Sequence, residues 1–345
     1  MPPSFSRNRL SIAPQQFRRV AIAALLAFAA VIVTGGAVRL SGSGLGCPDW
    51  PSCYNHRFTA QVSIHPMIEF INRGITVAVV VVAGATVVAA LLREPRRRDL
   101  VWLSFGLVAG IAGQVVLGGL VVLFKLNPYL VMAHFLFSLA IVADAVVLVE
   151  RAGMTDDDAA RPRKSLVGRE LRLLGTFVAA GVALVVSVGT AVSGAGPHSG
   201  DPGTSISRVA VAFQQIAELH STIAIFVVGL TLAGVLAFHY AKAPEPVLRR
   251  SRTLLELLAI QGALGYTQYF LHDNALIVGF HIAGATTVFV AATFFYLSLW
   301  GPAPAPPATS DPEAPALTAA RTDAVGVTRS PRTAVPVRSS RMVGQ

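Results

Sequence analysis

Polar residues divide the chain into long apolar stretches. Runs of mainly apolar residues cover 19–38, 67–92, 100–124, 130–150, 172–193, 212–239, 253–271 and 276–299. Each is near the ~20 residues with which a helix, rising about 1.5 Å per residue, crosses a bilayer core. The pattern predicts eight transmembrane helices. The first follows several arginines and on its own would pass for a cleaved secretory signal; the seven later spans make it the first helix instead. Residues 301–345 hold Pro, Ala, Ser, Thr and Arg without apolar periodicity, which predicts a disordered tail. The stretch 151–171 carries Asp156–Asp158 among arginines and reads as a linker between two halves.

Those halves are visible as an internal repeat. Gln114, Gly118, Asn127 and His134 recur as Gln261, Gly265, Asn274 and His281, every pair offset by 147 residues. One helix earlier, Asn72 stands opposite His220 at an offset of 148, and Ser41–Gly44 resembles Ser193–Gly196 at a slightly longer one. The expected fold is therefore all-α: eight transmembrane helices as two four-helix-bundle repeats, 19–150 and 172–300. An even number of spans per repeat makes them parallel, related by an axis along the membrane normal.

Composition supports the membrane class. Hydrophobic residues make up 53% and charged residues 13%, about half the roughly 25% charged of a soluble domain; mean hydropathy is +0.61. The net charge of +10 raises nucleic acid as a partner, but the location of the charge removes that reading. Of the 28 Lys and Arg residues, 23 fall in the segment before the first span, in the loops after the second, fourth and sixth, and in the tail. Arg39, Arg57, Arg73, Lys125 and Arg208 lie on the other side. By the positive-inside rule both termini, including segment 1–18 and the tail, are cytoplasmic. Only three of the 28 are lysines; with abundant Ala and Val this points to a high-GC bacterium and its plasma membrane. The Arg- and Ser-bearing N-terminus is the one feature that would also suit a mitochondrial origin.

His134, His220 and His281 lie within about two turns of the outer ends of helices 4, 6 and 8, and Asn72 holds the equivalent place on helix 2. Polar groups at bilayer depth are costly and point to function, although a single histidine also serves as interhelical glue. No thiolate or carboxylate cluster accompanies them, so zinc or di-iron fits poorly. Two imidazoles on facing helices suit axial ligation of haem iron, and His220 with His281 form the natural pair. The first half offers His134 opposite Asn72, an asymmetry that places a retained haem in the second half and a substrate in the first. Glu69, three residues before Asn72 on the same helical face, is expected to point into the first-half pocket; its alternative is a structural pairing with Arg73. Asp144 has no role beyond an interhelical partner. Cys47 and Cys53 share an outward loop, where a disulfide is permitted. Their spacing leaves open a structural clip or a redox-active dithiol.

The segment from Thr34 to Cys53, TGGAVRLSGSGLGCPDWPSC, closely resembles the first-loop signature of the haem A synthase family, and IEFINR from Ile68 to Arg73 resembles its helix 2 motif. The resemblance reaches all three histidines and stops near residue 301. It implies oxidation of a ring methyl of haem O to a formyl group through successive hydroxylations, giving haem A for terminal oxidase assembly. It further implies haem b as cofactor on His220 and His281, a substrate haem at His134, Asn72 and Arg73, Glu69 as the catalytic acid, and Cys47 and Cys53 as the outer-loop pair. The family's commonest motif has histidine where this chain has Asn72, which leaves His134 as the expected single iron ligand. Expected partners are haem O, membrane lipid, haem O synthase and a second copy of the chain. The rival readings are a dihaem electron carrier of the quinol-oxidising cytochrome b type, which should offer two comparable ligand pairs, and a transporter, which should hold its polar groups at mid-membrane.

Overall fold

A computed structural model describes residues 11–198, 200–201 and 207–304; most of segment 1–18 before Ser11, and all of the tail after Pro304, lie outside the described residues. The helices in chain order are α1 (Pro14–Leu40), α2 (Ile64–Leu92), α3 (Arg98–Leu123), α4 (Pro128–Ala152), the short α5 (Asp156–Ala160), α6 (Arg169–Ala195), α7 (Phe213–Tyr240), α8 (Glu245–Phe270) and α9 (Ala275–Ser298). Strands β1 (Arg163–Ser165) and β2 (Trp300–Pro302) form one antiparallel pair.

Among the described residues, seven helices are long and apolar enough to span a membrane: α1 to α4, α6, α7 and α9. The chain is a multi-pass membrane protein. The expected eighth span, 253–271, is helical but is not among these seven. That stretch belongs to α8, which starts eight residues earlier and takes in Glu245, Arg249, Arg250, Arg252 and Glu256. Backbone hydrogen bonding carries the helix past the apolar boundary because Pro246 is preset for a helix start and Arg250 finds a partner. Arg250 reaches Glu150 of α4 at 2.8 Å and the Phe294 carbonyl at 2.9 Å.

α1 packs on α2 and α4, and α3 on both α2 and α4; α6 packs on α7 and α9, and α8 on both α7 and α9. The two sets meet where α4 and α1 lie on α9 and α4 lies on α6. Small residues set the helix spacing. A Cβ on Gly106, Gly110 or Gly113 of α3 would lie 2.6–2.8 Å from Asp144, Ile141 or Phe137 of α4, so these positions admit close helix approach, the usual source of packing energy in lipid.

The hairpin turns repeat in atomic detail. Lys125 and Leu126 (φ 51° and 58°) in the α3–α4 turn match His272 and Asp273 (φ 53° and 57°) in the α8–α9 turn. Consecutive left-handed residues other than glycine are rare. Each pair is followed by an asparagine N-cap: Asn127 Oδ1 accepts from Tyr129 N, and Asn274 Oδ1 from Leu276 N, both at 3.0 Å. The turn conformation and the asparagine cap recur although the turn residues themselves, Lys125-Leu126 and His272-Asp273, differ.

At the opposite end the linker is built rather than loose. Arg93, 1% exposed, reaches Asp156 at 2.7 Å, while Asp99 receives Arg97 and Arg151 at 2.7 and 2.9 Å. Burial holds the Arg163 guanidinium below its ordinary range; it donates to the carbonyls of Leu297 and Trp300. β2 crosses the expected tail boundary at 301, because residues 300–302 find a pairing edge on 163–165.

Candidate functional site

A cavity of about 90 Å³ lies at the centre of α1–α4, and all four helices contribute to its wall. Its polar lining is Asn72 and Thr76 of α2, Gln114 of α3, and His134 and Ser138 of α4. Gly35 of α1 lines it too, and a Cβ there would meet nothing within 4 Å. Thr34 Oγ1 lies 2.8 Å from Asn72 Oδ1. Gln114 Nε2 donates to the His134 carbonyl at 2.9 Å and to Ser138 Oγ. The equivalent Gln261 donates to the His281 carbonyl at 2.8 Å. Each glutamine thus braces the helix backbone at the histidine across from it, a role the repeat hinted at without revealing.

His134 therefore stands where the sequence placed it, in one cavity with Asn72. Glu69 does not. It is 6% exposed and absent from the cavity wall; Oε2 accepts from Cys47 N at 2.7 Å and Oε1 from Arg73 Nη2 at 2.7 Å. The expectation that Glu69 points into the pocket is corrected. Three residues along a helix turn through about 300° and rise about 4.5 Å, a little less than one turn, which carries the carboxylate out of the cavity and under the cysteine loop. Arg73 was expected at the substrate haem. Its guanidinium donates to the carbonyls of Ser52, Cys47 and Asp49 at 2.9–3.1 Å besides Glu69. Cys47 and Cys53 are joined in a disulfide, both nearly fully buried. The Glu69–Arg73 pair and the disulfide hold one compact loop, and its Trp50 lies against Gly119 of α3, where a Cβ would approach to 2.7 Å.

Of the other outer-side cations, Arg39 is similarly occupied, donating to the carbonyls of His198 and Ser193 at 2.8 Å. Arg57, Lys125 and Arg208 are exposed.

In the other set of helices, His220 of α7 and His281 of α9 face each other with ring centroids 6.4 Å apart and planes inclined by 72°. A metal atom held by both rings, with bonds of about 2.0–2.1 Å and each centroid ~1.1 Å behind its nitrogen, demands close to that separation. All three histidine rings also share a cradle. A Cβ on Gly118, Gly189 or Gly265 would lie 3.0–3.2 Å from Cε1 of His134, His220 or His281 respectively, so a glycine on the neighbouring helix makes room for every imidazole. Nδ1 of His134 and of His281 is buried with no protein partner. Among the described residues no group of three or more His, Cys, Asp and Glu assembles for a metal ion, so the donor set is a facing imidazole pair. These features fit a haem between α7 and α9.

Sequence reasoning missed Thr34, Thr76 and Ser138. The last two lie four residues after Asn72 and His134, the helical spacing that shares a face, and that signal was readable. Thr34 reaches the cavity's edge only through tertiary packing of α1 on α2.

Comparison with known proteins points to one family. The COX15-CtaA family, described as cytochrome oxidase assembly protein, matches residues 18–198. A haem A synthase of Geobacillus kaustophilus is 32% identical over 110 residues, 31% of this chain and 33% of that protein. One from Lysinibacillus sphaericus is 35% identical over 109 residues, 31% of this chain and 35% of its own. One from Shewanella oneidensis is 65% identical over a 26-residue stretch, 8% of each chain. The matches span about a third or less of these relatives' length. The family match extends over more than half of the sequence, from α1 through the cavity, the cysteine loop and all of α6, and the chain belongs to the COX15-CtaA family of cytochrome oxidase assembly proteins.

Proposed function

We propose that this protein is a haem A synthase: it oxidises the ring methyl of haem O to a formyl group, giving haem A for terminal oxidase assembly. The observation that carries the reading is the inequality of two like sites. One holds facing imidazoles at 6.4 Å; the other holds a single imidazole, His134, in a cavity with an amide. In this reading the site with two fixed ligands retains its haem, and the site with one leaves a coordination position open for a substrate haem. A dihaem carrier calls for two comparable pairs, so Asn72 weighs against it.

In this reading the chain spans the bacterial plasma membrane eight times, as two parallel four-helix repeats (19–150 and 172–300) with both termini cytoplasmic. α8 is the eighth span, its apolar Ile260, Tyr266, Tyr269 and Phe270 turned outward and Gln261 tied to α9. The haem of the second half is haem b, which when bound supplies one-electron transfer. His220 and His281 fix its orientation. His134 takes the iron of haem O on the α4 side, and Asn72 faces it without ligating. Glu69, one turn outward of Asn72, takes up protons released as the methyl is oxidised. Its carboxylate is positioned by Arg73 and Cys47 N. The disulfide loop covers that end of the site and limits water access. Arg57, Lys125 and Arg208 are the exposed outer cations available to propionates. Haem O synthase, as the source of substrate, and a second copy of the chain are the expected protein partners.

The test is to purify the protein from cells that also carry a source of haem O and to identify the extracted haems. Haem A together with haem b is expected. Haem b alone, from protein with a full low-spin spectrum, selects the carrier reading instead.

A further inference from the structure

The cavity contains two polar groups to which the proposed reaction assigns no hydrogen bond. Gln114 is 7% exposed and lines the cavity. Its amide orientation is fixed, because the His134 carbonyl requires the nitrogen as donor. Oε1 is then a buried acceptor, and it has no protein partner among the described residues. Asn72 is oriented as well. A threonine hydroxyl carries one hydrogen, and Thr34 Oγ1 lies 2.8 Å from Asn72 Oδ1 against 3.2 Å from the Val31 carbonyl. The shorter contact takes the hydrogen, so Asn72 presents Nδ2, a donor, from a side chain on the cavity wall.

A donor and an unpartnered acceptor on one cavity wall describe a complementary ligand. A methyl group satisfies neither, and a carbonyl oxygen satisfies only the donor. A hydroxyl group, which donates and accepts at once, satisfies both. A buried polar atom without a partner is costly, so Gln114 Oε1 itself favours such a ligand, and the cavity has room for more than one water-sized group. The second half lacks the arrangement. The residue matching Asn72 is His220, those matching Thr76 and Ser138 are Ala224 and Ala285, and Gln261 Oε1 lies where a Cβ on Gly284 would be.

We propose that the first-half cavity is a hydroxyl-binding site, gripping one hydroxyl oxygen between Asn72 Nδ2 and Gln114 Oε1, with Thr34 as the residue that positions Asn72. The hydroxyl belongs either to water or to the alcohol half-way between methyl and formyl. This inference rests on the first half being the substrate site.

The experiment compares Thr34→Val, Thr34→Ser and Asn72→Asp in full-length protein purified from cells supplied with haem O. Methyl, hydroxymethyl and formyl haems are extracted and quantified, and the low-spin spectrum of the His220–His281 site is recorded alongside. Thr34→Val and Asn72→Asp are expected to lower formyl haem about tenfold, the scale of one lost hydrogen bond, with that spectrum unchanged; Thr34→Ser restores output. Accumulation of hydroxymethyl haem assigns the site to the alcohol, and a parallel fall of both oxidised haems assigns it to water. If Thr34→Val does not fold, Asn72→Asp carries the comparison. A density map of the substrate-free protein that resolves buried waters is expected to show one bonded to both Asn72 and Gln114. Wild-type amounts of formyl haem from both variants, or a map with no water between the two amides, overturns the proposal. Wild-type protein that makes no formyl haem overturns the proposed function instead.

Discussion

The α3–α4 and α8–α9 hairpins share a turn, an N-cap, a glutamine brace and a glycine cradle, yet their surroundings have separated. His281 faces a second histidine, His220, and on its own helix Ala285 stands where the first half has Ser138. Around His134 the neighbours are Asn72, Thr76, Ser138 and open space. The conserved geometry sets where an imidazole sits, and the unmatched residues set what it does there. In the proposed function, one frame serves once for holding a haem and once for acting on one.

The largest expected break in this comparison comes from Glu69, whose repeat-equivalent position is Ala217. Glu69→Gln should lower haem A formation by about 10²–10⁴-fold, the range of a lost acid–base group, while the bound haem b spectrum persists. Normal output from that variant removes Glu69 from the chemistry and leaves it a loop anchor. Next is Arg73→Ala, which frees three loop carbonyls and the Glu69 carboxylate. A destabilisation of about 1–3 kcal/mol, with hydrogen exchange rising over 47–53 and not over 193–198, is expected. Uniform exchange would show that the loop is held by its disulfide alone. Gly265→Val and Gly118→Val sharpen the contrast at similar cost, about 1–3 kcal/mol each for overpacking. The first should perturb the low-spin spectrum and the second should lower output without touching it. The smallest effect belongs to the caps. Asn127→Ala and Asn274→Ala should each cost about 1 kcal/mol, read as equal falls in Tm; unequal falls would show that the twin turns carry different loads.

Much of this was legible because it is locally encoded. Apolar runs located seven spans, and the 147-residue offset located turns that coincide in φ, caps and glutamine contacts. Apolar periodicity could not find the start of α8, where backbone bonding outlasts hydrophobicity once Arg250 has Glu150. Nor could it find β2, whose three residues are set by a distant pairing edge. Within the site, helical spacing grouped Glu69 with Asn72, but a 60° difference in direction and one turn of rise were enough to send the carboxylate to the cysteine loop. Gly189 illustrates the same limit. Its place against His220 follows from helix packing, and no spacing within the chain announces it.

The division of labour between the halves is tested most directly by one pair of optical spectra, taken as reduced minus oxidised difference spectra of purified His281→Ala and His134→Ala proteins. The account predicts that His281→Ala loses the low-spin bis-imidazole signal and that His134→Ala keeps it at wild-type intensity. A signal that survives His281→Ala, or vanishes with His134→Ala, would contradict it.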